Sequence, residues 1–87
     1  MQVFVVERDM KDASHMDLSG MKHAAIRQAQ KMYDAGDRVA YLRSIFFPAD
    51  GRCLCMFEAK NADVVGELNR EARLPFDRIR EVDELRP

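Results

Sequence analysis

The chain has 87 residues, with 14 Lys and Arg against 15 Asp and Glu and a formal net charge of −1. That length holds one domain with a modest core, and the near-neutral balance gives no electrostatic case for nucleic acid or for an anionic membrane surface. No run of about 18 apolar residues occurs, so no membrane-spanning helix is expected. The start, MQVFVVERD, lacks the basic and long apolar regions of a signal peptide. Cys53 and Cys55 are the only cysteines, two apart and badly oriented for a disulfide with each other. A single domain over residues 1–87 in a reducing cytoplasm is the expectation.

Gln2 to Arg8 predicts a first strand, apolar through Val6 and then charged. Asp9 to Ser19 reads as a polar connector holding His15, with Ser19 or Asp17 as the cap of the next element. From Gly20 to Ala35, the residues Met21, Ala24, Ala25, Gln28, Ala29 and Met32 recur at three- and four-residue spacing, which is one face of a helix. Gly36 suits its left-handed exit. Ala40 to Ala59 predicts two strands joined through Pro48-Ala49-Asp50-Gly51. Asn61 or Asp63 then caps a second helix running to about Arg73, with Val65, Leu68 and Ala72 on its apolar side. Leu74-Pro75 ends it, and Asp77 to Leu85 predicts a last, edge strand.

The order β-α-β-β-α-β is that of the ferredoxin-like α+β fold, a four-stranded antiparallel sheet with two helices on one face. Pairing Phe47 with Arg52 predicts the central hairpin's register down to Leu42 with Phe57 and Tyr41 with Glu58. Alternation then puts Ala40, Leu42, Ser44, Phe46, Cys53, Cys55, Phe57 and Ala59 under the helices. Tyr41, Arg43, Ile45, Phe47, Arg52, Leu54, Met56 and Glu58 fall on the uncovered face. An apolar patch of that size predicts association, most simply a homodimer of the dimeric α+β barrel type with a cavity between two sheets.

Val5–Arg8 (VVER), Tyr41–Ser44 (YLRS), Cys53–Ala59 (CLCMFEA), Asn69–Arg73 (NREAR) and Leu74–Val82 (LPFDRIREV) together resemble a family of small ferredoxin-fold proteins of unknown function that includes nickel-binding members. The resemblance implies the same fold and a face-to-face dimer, and it raises nickel or another divalent metal as a cofactor. Metal-binding relatives place histidines at the end of the first strand and twice near the end of the second helix. The matching positions here are Glu7, Asn69 and Arg73, and a guanidinium has no lone pair to offer a metal. The same geometry predicts a Glu7–Arg73 ion pair where relatives hold metal.

Glu7 and Glu58 are the candidate acid or base carboxylates, or else members of ion pairs with Arg43, Arg52 or Arg73. Tyr41 and Arg43 have the chemistry to hold an anionic or aromatic ligand. The candidate ligand-binding set is therefore Glu7, Tyr41, Arg43, Glu58, Asn69 and Arg73. Cys53 and Cys55 read either as a Cys-x-Cys site for copper or zinc or as small core residues. His15 and His23 stand in no spacing motif, and Glu81, Asp83 and Glu84 read as a solvated edge. An RNA-binding role fails, because Arg52–Phe57 carries one aromatic and it faces the helices. Two functions are left: a non-catalytic dimer binding a small ligand or metal ion between its sheets, and a cofactor-independent enzyme (oxygenase, isomerase or cyclase) of the same architecture.

Overall fold

The structure is a computed structural model and describes residues 1–87. Its elements are β1 (Gln2–Asp9), α1 (His15–Asp34), β2 (Val39–Phe47), β3 (Arg52–Ala59), α2 (Ala62–Glu71) and β4 (Arg78–Val82). The strands form one antiparallel sheet in the order β2-β3-β1-β4, so β2 and β4 are its edges. Helix and sheet side chains meet in one core, where Met21, Ala25, Ala29 and Met32 of α1 and Val64, Val65 and Leu68 of α2 pack with Phe4, Val6, Cys53, Cys55 and Phe57.

Helix α1 begins five residues before the predicted Gly20, and His15 is its first residue rather than part of a connector. The cap is Ser14, not Ser19 or Asp17. The Ser14 hydroxyl accepts from the Asp17 N–H at 3.0 Å, and the Asp17 carboxylate accepts from the Ser14 N–H at 2.9 Å. This reciprocal pair satisfies two otherwise free donors, and it uses Asp where the capping box ordinarily has Glu or Gln. At the other end Gly36 takes φ +100°, and the Asp37 N–H reaches back to the Met32 carbonyl. Helix α2 is capped by Asn61, one of the two expected caps, whose Oδ1 accepts from the Val64 N–H at 3.0 Å. It closes in the same way as α1, except that Arg73 supplies the left-handed residue at φ +57°. A side chain with a Cβ is uncommon there.

The hairpin keeps the predicted register from Phe47–Arg52 through Arg43–Met56. Beyond that a β-bulge intervenes: Tyr41 pairs with Phe57, Ala40 with Glu58 and Val39 with Ala59, so Leu42 is the extra residue. The prediction that Tyr41 opposes Glu58 and Leu42 opposes Phe57 is thereby corrected. An extra residue shifts the alternation by one, which turns Val39 and Tyr41 toward the helices and Ala40 away. Val39 is buried in the core, and the Tyr41 ring meets Phe57 edge-on with 5.7 Å between centroids.

Candidate functional site

Alternation from the observed register sorts the remaining sheet residues. Val3, Val5 and Glu7 of β1, Arg43, Ile45 and Phe47 of β2, Arg52, Leu54, Met56 and Glu58 of β3, and Arg78, Arg80 and Val82 of β4 share the face without helices. Its apolar middle is ringed by charge. The Glu7 carboxylate accepts from Arg78 Nε at 2.6 Å and lies 3.0 Å from Arg80 Nε. Arg52 pairs with Asp77 at 2.7 Å. Arg43, on one edge strand, reaches Glu84 at 2.5 Å, just past the opposite edge strand, with its Nη1 3.8 Å from the Met56 sulfur. The segment after β4 is thus folded back over the sheet, and Glu84 is not a free, solvated edge residue.

The six predicted ligand residues do not assemble. Glu7, Arg43 and Glu58 share the uncovered face, whereas Tyr41 lies on the helix side for the reason given above. Asn69 is fully buried in α2, and Arg73 lies at that helix's exit in a shallow cleft with Asn69, Arg70, Leu74, Pro75 and Phe76. The predicted Glu7–Arg73 ion pair is absent. Glu7 stands directly opposite Arg78 in the β1–β4 pair, and β4 supplies both of its partners.

The hydrogen bond from Arg78, with the charges of Arg78, Arg80 and Arg52, holds the Glu7 carboxyl below its ordinary range against the opposing effect of desolvation. A carboxylate depressed in the folded state adds stability above its unfolded pKa, near 4.3, and loses it as pH falls through the folded value. Thermal melts taken downward from neutral pH are expected to lose stability below about pH 4. Glu7→Gln has no charge to lose and is expected to flatten part of that decline. Identical acid profiles for the two proteins would remove Glu7 from the account.

A second cluster lies on the helix side, and sequence reasoning missed its centre. Arg8 is 2% exposed and has no carboxylate partner. Its guanidinium donates to Asn69 Oδ1 at 2.6 Å and to the carbonyls of Leu74 and Pro75 at 3.3 and 3.1 Å, while its buried Nε has no partner. Both polar atoms of the Asn69 amide are engaged, since its Nδ2 donates to the Val65 carbonyl at 2.8 Å. Arg8 shares the parity of Phe4 and Val6 along β1, and that was the signal available for placing it among the helices.

Cys53 stands opposite Arg8, and Cys55 opposite Val6. Both thiols are buried. The Ser44 hydroxyl, itself hydrogen-bonded to Tyr41 Oη at 2.7 Å, donates to Cys55 Sγ at 3.1 Å. Cys55 Sγ lies 3.6 Å from the Met21 sulfur. A hydrogen bond from Cys53, the Arg8 charge and the Ser44 hydroxyl draw the Cys55 thiol down against burial. The Cys53 thiol is pushed up by its bond to Cys55 and by burial.

The element order, sheet and helix layer define a ferredoxin-like protein. Residues 4–82 match the family described as nickel responsive protein SCO4226-like, and the chain belongs to that family. Its fold is similar to that in the crystal structure of SCO4226 from Streptomyces coelicolor A3(2), with a TM-score of 0.79 at 20% identity over 97% of this chain and 99% of that one. Likeness at that identity speaks to fold. No curated protein matches the chain.

The positions that would carry a family metal do not fit one here. Glu7 is committed to two arginines, Asn69 Oδ1 accepts from Arg8, and Arg73 offers no lone pair. No group of three or more His, Cys, Asp or Glu residues is placed to hold an ion.

Proposed function

We propose that the protein works as a homodimer formed through the uncovered face of its sheet, and that the cavity between the two sheets holds a small ligand or metal ion without catalysing a reaction. The observation that carries this reading is the exposure of Ile45 and Phe47, 44% and 45%, beside Leu54 on a face that no helix covers. Burying such side chains against a second copy is worth roughly 1.5–3 kcal/mol each. Arg43, Arg52, Arg78 and Arg80 border the same patch and pair with Glu84, Asp77 and Glu7, so the rim supplies both guanidiniums and carboxylates to whatever lies between the sheets. Glu7 is the carboxylate best shielded on that face, and two guanidiniums hold it ionised, which makes it a poor proton donor or acceptor near neutral pH. That speaks for binding rather than turnover.

Sedimentation velocity on untagged protein tests the assembly. A dimer is expected at micromolar concentrations, and Ile45→Glu with Phe47→Glu is expected to weaken it at least a hundredfold, since two lost anchors exceed about 3 kcal/mol. Unchanged circular dichroism would show that the fold survives. A wild-type monomer at tens of micromolar would sink the reading.

A further inference from the structure

The sulfur atoms beneath α1 form a cluster that the uncovered face does not use, and it is independent of whether two copies meet. Cys53 and Cys55 project from β3 toward the helices, and Met21 of α1 brings its thioether sulfur to 3.6 Å from Cys55 Sγ. Sulfur ligands around one ion held by bonds of about 2.3 Å sit roughly 3.8–4 Å apart, so this pair is already near bonding geometry. A cleft of about 260 Å³ leads in from the surface between α1 and the hairpin, lined by His15, Met21, Ser44, Phe46 and Cys53 among others. The cleft reaches Cys53, while both thiols are themselves buried, Cys53 at 1% exposure and Cys55 at 0%.

The second observation is electrostatic. Arg8 is a permanent cation, almost wholly buried beside these thiols, with no carboxylate to balance it and with its Nε unpartnered. A buried charge without a counter-ion is costly. Of the groups around it that can become anionic, the two thiols share its face of the sheet, with Cys53 directly opposite, and the Tyr41 hydroxyl, hydrogen-bonded to Ser44, is the third. We propose that Cys53, Cys55 and Met21 form a binding site for a soft monovalent metal ion, Cu(I), with Arg8 as its fixed counter-charge.

Charge decides the valence. Two thiolates and one monovalent ion leave a single negative charge, which the Arg8 guanidinium cancels; a divalent ion would leave the buried set positive. Donor type decides the metal, because thiolate and thioether sulfur select Cu(I) over harder ions. A structural zinc site needs four ligands, and only three soft donors are here. On binding, two Cu–S(thiolate) bonds and one thioether bond form, and the thiol protons pass to solvent with no change of oxidation state. Ser44, which donates to Cys55, and Tyr41, hydrogen-bonded to Ser44, orient the inner thiolate.

The test is an anaerobic titration of untagged, reduced protein with Cu(I) delivered from a chromophoric chelator that competes for it. One Cu(I) per chain is expected, with a thiolate-to-copper charge-transfer band and a rise in melting temperature. Met21→Leu conserves core volume, should stay folded, and is expected to weaken retention by about tenfold or more. Cys53→Ser and Cys55→Ser are expected to abolish the band, and His15→Ala with His23→Ala to leave it unchanged. Ni(II) is expected to give no such band. The proposal is overturned if the competitor strips all copper from wild-type protein, if Met21→Leu holds copper as tightly as wild type, if the histidine variant loses it, or if Ni(II) produces the thiolate band.

Discussion

Arg8→Leu is expected to lower stability by about 2–4 kcal/mol, among the largest effects of any single change in this chain. The substitution keeps much of the apolar stem but removes every donor that the guanidinium supplies. Asn69 Oδ1 is fully buried and has Arg8 as its donor, and the Leu74 and Pro75 carbonyls lose theirs as well. An unsatisfied buried acceptor costs about 1–3 kcal/mol. Removing a buried cation offsets part of this, because the charge was itself expensive to hold. For a domain of this size the net loss corresponds to roughly 10–25 °C in melting temperature. Asn69→Leu on top of Arg8→Leu removes the stranded acceptor and is expected to recover part of the loss, with a coupling of about 1–3 kcal/mol in the double-mutant cycle. Chemical denaturation of the four proteins measures this. An Arg8→Leu variant within about 0.5 kcal/mol of wild type would mean that the anchor between β1 and the α2–β4 connection carries nothing.

Gly51→Ala is expected to cost about 2–5 kcal/mol for an unrelated reason. Gly51 closes the hairpin at φ +73°, a conformation that disfavours a Cβ, and its carbonyl accepts the Met10 N–H at 2.7 Å. A methyl group there would stand 2.2 Å from the Lys11 Cα and 2.9 Å from the Lys11 nitrogen. Those are backbone atoms, so relief requires the β1–α1 connection to lift off the turn. Gly20→Ala is the internal control: it lies within α1 with open space around it and is expected to stabilise by about 0.5–1 kcal/mol. Urea unfolding of both variants separates a local clash from a general intolerance of substitution at glycine.

The layer structure was legible because period-two and helical patterns are strong in this chain and agree with its turn residues. The hairpin register followed from which residues tolerate the core, and it held wherever the strand is regular. It failed at Leu42, since a bulge inserts a residue without leaving a compositional mark: Tyr41 and Leu42 are both acceptable under a helix. The start of α1 was misplaced because Ser14-His15-Met16-Asp17 lacks the Glu or Gln that makes a capping box conspicuous. The uncovered face was read correctly for Arg43, Ile45, Phe47, Leu54, Met56 and Glu58. The partners of Glu7 were not: the expected Arg43, Arg52 or Arg73 gave way to Arg78 and Arg80, because placing those two needs the β1–β4 register, which sequence leaves open. Arg8 was passed over because a charge at a strand end ordinarily reaches water, and only the path of Leu74 and Pro75 above it closes that route.

The extra residue at Leu42 makes β2 two half-strands with different duties. Val39 and Tyr41 answer to the helix layer, while Arg43, Ile45 and Phe47 answer to whatever meets the bare side of the sheet. Changes in one half need not be heard in the other, so a lineage could retune its surface chemistry while its interior stood still. Excising Leu42 would end that independence, swinging Val39 and Tyr41 outward and tying both halves to a single constraint.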